Sequence, residues 1–349
     1  PSPSGRDLAE AGLVAPPWPE PWGRGADPVH QLIIDDELAR ARVRRPVNPI
    51  GIGWAGPTIL LAGTPEQKES YLLRLLAGED LWCQLFSEPG VGSDLASLTT
   101  RAVRDGDEWV VTGQKIWTSL AQFARYGILI ARTDPDVPKH KGITYFLIDM
   151  EQPGVDVRPL REMTGEAAFN EVFFSEARVP DANRLGGLGE GWRVAMTTLA
   201  NERDPGNPGV ASGGGSVIGR PDLQVTVAEY RRQQAAGSDA MSLAIAGGIA
   251  EVLDRLAARF DRRDDAVMRQ RRAAIASSRL TQRWTTQRAK ANARAGQAPG
   301  PETSTLKLGG SALGRSVRDA GLALMGPHGM LLGDDAPEGG LFHKYALFV

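Results

Sequence analysis

The sequence predicts a mainly α protein with a central β-domain, and three observations carry that expectation. Apolar residues recur at helical spacing over roughly the first 80 positions, switch to a period of two from Leu81, and return to a helical period after Gly189. Helix-start signals fall where helices should begin, at Asp27-Pro28 and at Thr64-Pro65-Glu66-Gln67. Between Leu81 and Leu185, Gly and Asp turn signals punctuate short apolar runs, as expected of many short strands. The expected domains are therefore residues 1–80 (helical), 81–185 (β) and 186–349 (a helical bundle).

Composition excludes several function classes. The chain has 349 residues, 42% hydrophobic and 23% charged, with a formal net charge of −2, so no global charge favours nucleic acid or an anionic membrane. Cys83 is the one cysteine, which rules out an intrachain disulfide and a cysteine zinc cluster. His30, His140, His328 and His343 are scattered without metal-ligand spacing. There is no apolar run long enough to cross a membrane, and a cytoplasmic location is expected. The chain begins at Pro1 without Met, so its native N-terminus is expected to be absent.

Taken in order, residues 1–26 are rich in Pro, Gly and Trp and read as irregular. Asp27 caps a helix with Pro28 at its first position, running to about Arg45. Asn48 to Ala62 reads as a second apolar helix that Gly63 can end, and Thr64 with Gln67 forms a capping box for a helix closing near Gly78. Strands are expected near 81–87, 98–104, 108–113, 114–118, 125–132, 142–149, 154–159 and 168–175, which suits an antiparallel barrel or sandwich. A helix over about 190–204 is followed by a Gly/Pro-rich segment at 205–221, then helices near 223–262, 264–296 and 303–324 that suit an antiparallel bundle. The dense arginines of 255–294 read as a solvated helix face balanced by Asp254, Asp261, Asp264 and Asp265.

The chemistry concentrates in Leu81–Ser119. FSEPGVGSD (86–94) is a strand end running into an amide-rich turn, which suits phosphates or the polar edge of a ring. GQKIWTS (113–119) sets a Trp beside hydroxyls, and a Trp face suits a flat conjugated ring. Joined by the Asp105-Gly106 hairpin, the two pieces make a shelf for a flavin.

These motifs resemble the acyl-CoA dehydrogenase family. The resemblance also covers ILIARTDP (128–135), GITYFLID (142–149), FNEVFFSEARVP (169–180), GEGWRVAMTTLANER (189–203) and GPHGM (326–330), in an order and spacing that agree from about residue 7 to 345. It implies N-terminal helices, a middle β-domain and a C-terminal four-helix bundle assembling as a homodimer or homotetramer. It implies FAD as cofactor and oxidation of an acyl-CoA thioester to the trans-2-enoyl-CoA, with an electron-transfer flavoprotein or similar acceptor. Glu202 would remove the α-proton while a hydride passes to flavin N5. Gln84, Leu85, Phe86, Ser87, Gly92 and Ser93 would line the flavin, Trp117, Thr118 and Ser119 would flank it, and Gly326 and Gly329 would approach the pyrophosphate or adenine. Ser93 and Arg203 would meet the CoA thioester.

The sequence departs from the family at three places. FDRRDDAVMRQ (260–270) lacks the Arg-x-x-Phe-Gly that grips FAD of a neighbouring subunit, the Gln before the glycine turn is replaced near Ala323, and the chain stops at Val349 before a Gly-Thr segment. Two alternatives therefore stand beside the dehydrogenase: a non-catalytic or half-site subunit of a heterotetramer, and a flavin monooxygenase on the same fold. Acyl chain length or shape does not follow from the sequence.

Overall fold

The structure, a computed structural model, describes residues 3–163, 167–202, 249–295, 297, 300–331 and 335–343. The chain divides into two compact units, residues 1–162 with 166–236, and 163–165 with 237–349.

The first unit opens with α1 (Gly5–Glu10), where irregular chain was expected. Its cause is local: Ser4 caps the Asp7 amide and Asp7 returns a bond to the Ser4 amide, a capping box built with Asp in the place of the usual Glu or Gln. α2 (Pro28–Arg40) starts as its signals required, with Asp27 Oδ1 accepting the Val29 and His30 amides at 2.8 and 2.9 Å. It ends before the expected Arg45, and Arg42 turns left-handed at φ 54°. Residues Gly51–Ala55 wind as a π-helix that runs directly into α3 (Gly56–Ala62). α4 (Pro65–Leu76) carries the full Thr64/Gln67 capping box. Buried Asn48 then ties these helices to the sheet: its amide donates to Leu75 and Asp80 carbonyls at 2.9 Å and its oxygen accepts from Gly51 and Trp82 amides.

Eight strands follow: β1 (Trp82–Leu85), β2 (Arg101–Asp105), β3 (Glu108–Lys115), β4 (Tyr126–Arg132), β5 (Ile143–Asp149), β6 (Val155–Leu160), β7 (Phe169–Pro180) and β8 (Arg184–Leu185). They form one sheet in the order β6-β7-β3-β2-β4-β5-β8, with β1 joined to β4. The pairing is antiparallel except that β1 lies parallel to β4 and Arg101 of β2 meets Arg132 of β4 in parallel. The two strands expected at 108–113 and 114–118 are one strand, kept continuous by a bulge between Val111 and Gly113. β7 runs to Pro180, past the expected 175, because it pairs with all of β3 from Lys115 back to Glu108.

Period-2 alternation gives the sheet two apolar faces. Ile128, Ile130, Tyr145 and Leu147 pack with the N-terminal helices and with α5 (Gly191–Glu202). Leu129, Phe146 and Ile148 pack with Trp109, Val111, Val172 and Phe174, so the sheet curls around a second core. Cys83 lies inside that core, where burial pushes its thiol up and leaves it unreactive.

In the second unit α6 (Ile249–Arg259), α7 (Ala266–Arg294) and α8 (Glu302–Met325) enclose Leu253, Leu256, Ile275, Val317, Leu324 and Phe342. The helix expected over 223–262 is described from Ile249 onward, and the Gly/Pro-rich segment at 205–221 lies outside the described residues. Arg272 pairs with Asp254 and Arg262 with Asp265, as a charge-balanced surface helix requires.

Gln67 bonds more than its own helix. Its Nε2 donates to the Ala182 and Arg184 carbonyls at 2.7 and 2.9 Å, while its Oε1 accepts the Thr64 amide. Thr64→Ala removes one cap and is expected to cost about 1 kcal/mol. Gln67→Ala deletes three hydrogen bonds of a buried side chain and is expected to cost about 2–3 kcal/mol. Urea unfolding of the two variants side by side checks the order.

Candidate active site

The two halves of the proposed shelf come from strands that are not sheet neighbours. β1 pairs only with β4, whereas β3 lies between β2 and β7. What joins them is a buried ion pair: Lys115 Nζ donates to Glu88 Oε1 at 2.9 Å and to the Phe86 carbonyl at 3.0 Å. Both side chains are essentially enclosed, at 0% and 3% exposure. The Ile116 amide then donates to the Ser87 carbonyl at 2.9 Å, which sets Ser87 beside the 116–119 turn.

Glu88 is also the acceptor for a third piece of chain. Its carboxylate takes the Thr99 amide and hydroxyl, each at 2.7 Å, and the Thr100 amide at 2.9 Å. Thr100 in turn packs on Gly113, where a Cβ would stand 2.7 Å from the Thr100 Cα, so only glycine fits. Burial alone would raise the Glu88 carboxyl. The Lys115 charge and the hydrogen bonds from Lys115 and Thr99 outweigh it and take the group down to about 2. Burial draws the Lys115 ammonium down to about 8, against the pull of Glu88, so both members are charged at neutral pH.

On this frame the turn is tight at one end and open at the other. Glu88 and Val91 exchange backbone bonds at 3.0 and 2.9 Å across Pro89-Gly90. Gly92 and Ser93 are exposed, and a Cβ on Gly92 would meet nothing. Among the described residues no atom demands glycine there, which suits close approach by a bound group. Phe86 and Leu85 are buried in opposite cores, so these two can offer a ligand only backbone, and Gln84 and Ser87 are half-buried.

Trp117, next in the chain to Ile116, has two unusual properties. Its backbone is left-handed at φ 60°, and its ring is 59% exposed. A left-handed bulky residue costs on the order of 1–2 kcal/mol, so its neighbours must hold it. Thr118 does so: its amide and carbonyl pair with the carbonyl and amide of Asn170 at 3.0 Å, and Asn170 Nδ2 adds a bond to the same carbonyl at 2.9 Å. The Thr118 hydroxyl and Asn170 Oδ1 are buried without a hydrogen-bond partner among the described residues. Ser119 is half-buried beside them in the chain. An exposed flat ring, an open glycine, half-buried hydroxyls and orphaned buried acceptors fit a planar polar-edged cofactor such as a flavin.

Glu202 closes α5 and is exposed. The buried stripe of that helix is Gly191, Val194, Ala195 and Thr198, and the next position on it, one turn past Thr198, is Glu202. A carboxylate therefore continues the docking face at the point where packing among the described residues stops. Arg203 lies outside the described residues. Gly326 and Gly329 sit in the second unit; Gly326 adopts φ 54°, ψ −131°, open to glycine alone, with free space at its Cβ position, while a Cβ on Gly329 would press on Leu322 at 3.3 Å.

Sequence reasoning singled out the shelf and Glu202 but not what holds them: Glu88, Lys115, Thr99, Thr100 and Asn170. One signal was available. Trp109 and Val111 fix the inward register of β3, and Lys115 occupies an inward position of that register, where a lysine requires a buried anion.

Residues 3–79 match the acyl-CoA dehydrogenase N-terminal domain and residues 83–177 the acyl-CoA dehydrogenase middle domain. The chain is 56% identical over 234 residues to the acyl-CoA dehydrogenase FadE34 of Mycobacterium tuberculosis, covering 64% of this chain and 32% of that protein. It is 44% identical over 233 residues to the acyl-CoA dehydrogenase IpdE1 of the same organism, covering 66% of this chain and 59% of that one. It thus spans about one third and three fifths of these two relatives. The fold superimposes on a chain of the ChsE4-ChsE5 complex from Mycobacterium tuberculosis with a TM-score of 0.73 and 28% identity, over 98% of this chain and 82% of that one.

The Glu88 carboxyl, depressed from its ordinary value of 4.5 to about 2, contributes stability that is complete above pH 4.5 and lost as pH falls toward 2. Glu88→Gln is expected to cost about 3–5 kcal/mol at pH 7, because it leaves Lys115 buried without its counter-charge. The gap between parent and variant is expected to narrow as pH falls through that window, read by urea unfolding at stepped pH.

Proposed function

The chain belongs to the acyl-CoA dehydrogenase family, whose N-terminal and middle domains it carries, and on that premise we infer that it oxidises an acyl-CoA thioester across its α and β carbons with Glu202 as the base. The observation that carries this reading is the one carboxylate on the docking stripe of α5, exposed at the end of a face that is buried at every earlier position.

FAD, held against the wall of 84–93 and 117–119, would supply the hydride acceptor. The chain's own residues do the rest. The Trp117 ring offers a flat apolar surface, while Ser87, Ser119 and the unpaired Thr118 hydroxyl offer bonds to a ring's polar edge. Ser93, exposed on the open side of the turn, would meet the thioester's CoA arm. Glu202 takes the α-proton onto a carboxylate oxygen, a step favoured because the thioester carbonyl acidifies that carbon. Bound acyl chain over the site excludes water and keeps the carboxylate basic. An electron-transfer flavoprotein or a similar acceptor would take up the electrons.

Assembly follows from the same reading. The segment Phe260–Gln270 lacks the Arg-x-x-Phe-Gly motif, which supports pairing with a second, different dehydrogenase subunit over a homodimer or homotetramer. The structural relative named above belongs to a complex of two named components, ChsE4 and ChsE5. Purification alone and with a co-expressed partner, followed by sizing and flavin absorbance, separates the two. A stable, FAD-loaded homo-oligomer made alone argues against the heteromer.

Glu202→Gln keeps the shape and removes the base. Anaerobic bleaching of the flavin by acyl-CoA is expected to slow by at least about 100-fold, the usual lower bound for a lost general base, with substrate binding retained. Unchanged bleaching would place the base elsewhere. The same anaerobic assay discriminates a monooxygenase, which needs oxygen and no carboxylate.

A further inference from the structure

Two contacts among those that fasten α5 to the rest of its unit bear on its register. At its start the helix backbone lies against β5, so close that a Cβ on Gly191 would stand 2.6 Å from the Thr144 Cα. That contact, with Val194 and Ala195, is apolar or steric and has little directionality. The directional fastening comes at Thr198, which is fully buried. Its hydroxyl lies 2.9 Å from the Thr58 hydroxyl of α3 and 3.0 Å from the Tyr145 hydroxyl of β5. Thr58 in turn donates to the Trp54 carbonyl at 2.6 Å.

Proton counting leaves one arrangement of these three hydroxyls that uses the short contacts. Thr58 spends its proton on the Trp54 carbonyl, so it accepts from Thr198, and Thr198 accepts from Tyr145. Burial pushes the Tyr145 phenol up, so it keeps its proton and remains a donor. The chain Tyr145 to Thr198 to Thr58 to Trp54 thus joins strand, base-bearing helix and N-terminal helices through one side chain of α5.

We propose that Thr198 is a positioning residue for the dehydrogenation, setting the axial register of α5 and hence the place of the Glu202 carboxylate one turn further along the same face. This rests on the reading of Glu202 as the base. Sliding a helix by one residue moves a side chain by about 1.5 Å and turns it by about 100°. Misplacement of a catalytic group by about 1 Å can lower a rate on the order of 100-fold. The close approach of Gly191 to the Thr144 backbone bars a whole-residue slide at the start of the helix, and the Thr198 hydroxyl holds the later turn, which leads to Glu202, against smaller shifts and rotation.

The test compares the parent protein with Thr198→Val, Thr198→Ser, Glu202→Gln and the Thr198→Val/Glu202→Gln pair. FAD content, KM for one acyl-CoA and the rate of anaerobic flavin reduction are read for each. Thr198→Val is expected to load FAD normally, keep KM within about threefold and lose about 10- to 100-fold in reduction rate, with Thr198→Ser restoring it. In the Glu202→Gln background Thr198→Val is expected to have no further effect. A Thr198→Val rate within twofold of the parent, while Glu202→Gln is inactive, overturns the positioning role and leaves the base reading intact. So does an equal loss in both backgrounds. Full activity of Glu202→Gln instead overturns the base reading itself. If Thr198→Val does not fold, Tyr145→Phe carries the test: it deletes one hydroxyl and keeps the ring, a several-fold slower reduction at unchanged FAD content is expected, and an unchanged rate overturns the proposal.

Discussion

The ion pair between Glu88 and Lys115 is the constraint on which the candidate site depends. Two charges withdrawn from water are a poor source of net stability, since desolvation of each offsets most of their attraction. Their value here is geometric. Glu88 satisfies Lys115, two backbone amides and a threonine hydroxyl at once, so its carboxylate fixes the turn after β1, the end of β3 and the strand entry at Thr99–Thr100 relative to one another. An apolar pair could fill the same volume, but it would not specify which atoms face which. Ser87 and the Trp117 turn are held in register by a bond network whose failure leaves a buried charge unpaired.

The helix that carries the candidate base is linked to the start of the shelf through β5. β5 sends Tyr145 toward the N-terminal helices and α5, and its neighbour Phe146 into the opposite core. Tyr145 meets the Phe86 ring edge-on at 5.9 Å and the Thr198 hydroxyl at 3.0 Å. One residue therefore touches both the motif that starts the shelf and the helix that carries Glu202. The alternation of a strand is enough to produce this: successive side chains belong to different layers, and a single aromatic on the correct layer can tie two functional elements that are more than a hundred residues apart in the chain.

Much of the fold was legible in the sequence because it is written locally. The Asp27-Pro28 start, the Thr64/Gln67 capping box, the change of period at Leu81 and the Gly and Asp turns are short-range signals, and among the described residues most of the helices and strands they announce are present. Errors arose where long-range pairing decides. β3 is continuous across a bulge because β7 runs alongside it, and β1 pairs in parallel with β4, neither of which period-2 alternation encodes. α1 was hidden by its Pro-rich surroundings although Ser4 and Asp7 carried its cap. At the site, the residues proposed to face a ligand could be named from motifs, while the residues that support them could not. Thr198, Tyr145 and Thr58 are common residue types far apart in sequence, and only the packed structure shows that their hydroxyls form one chain.

Trp117 argues that the exposed side of the shelf serves a bound partner and not the fold. A folded chain gains from burying a tryptophan and loses from a left-handed backbone, yet here the ring is largely exposed and the backbone is left-handed. Among the described residues, Phe169 meets it at a near-perpendicular angle with ring centroids 6.1 Å apart. The next residue keeps a buried hydroxyl without a partner among the described residues, a further cost of on the order of 1–3 kcal/mol. Strain, exposure and an unsatisfied polar atom in two consecutive residues are hard to explain as stability. A flat ring with polar edges laid against them would relieve the last two and make use of the first.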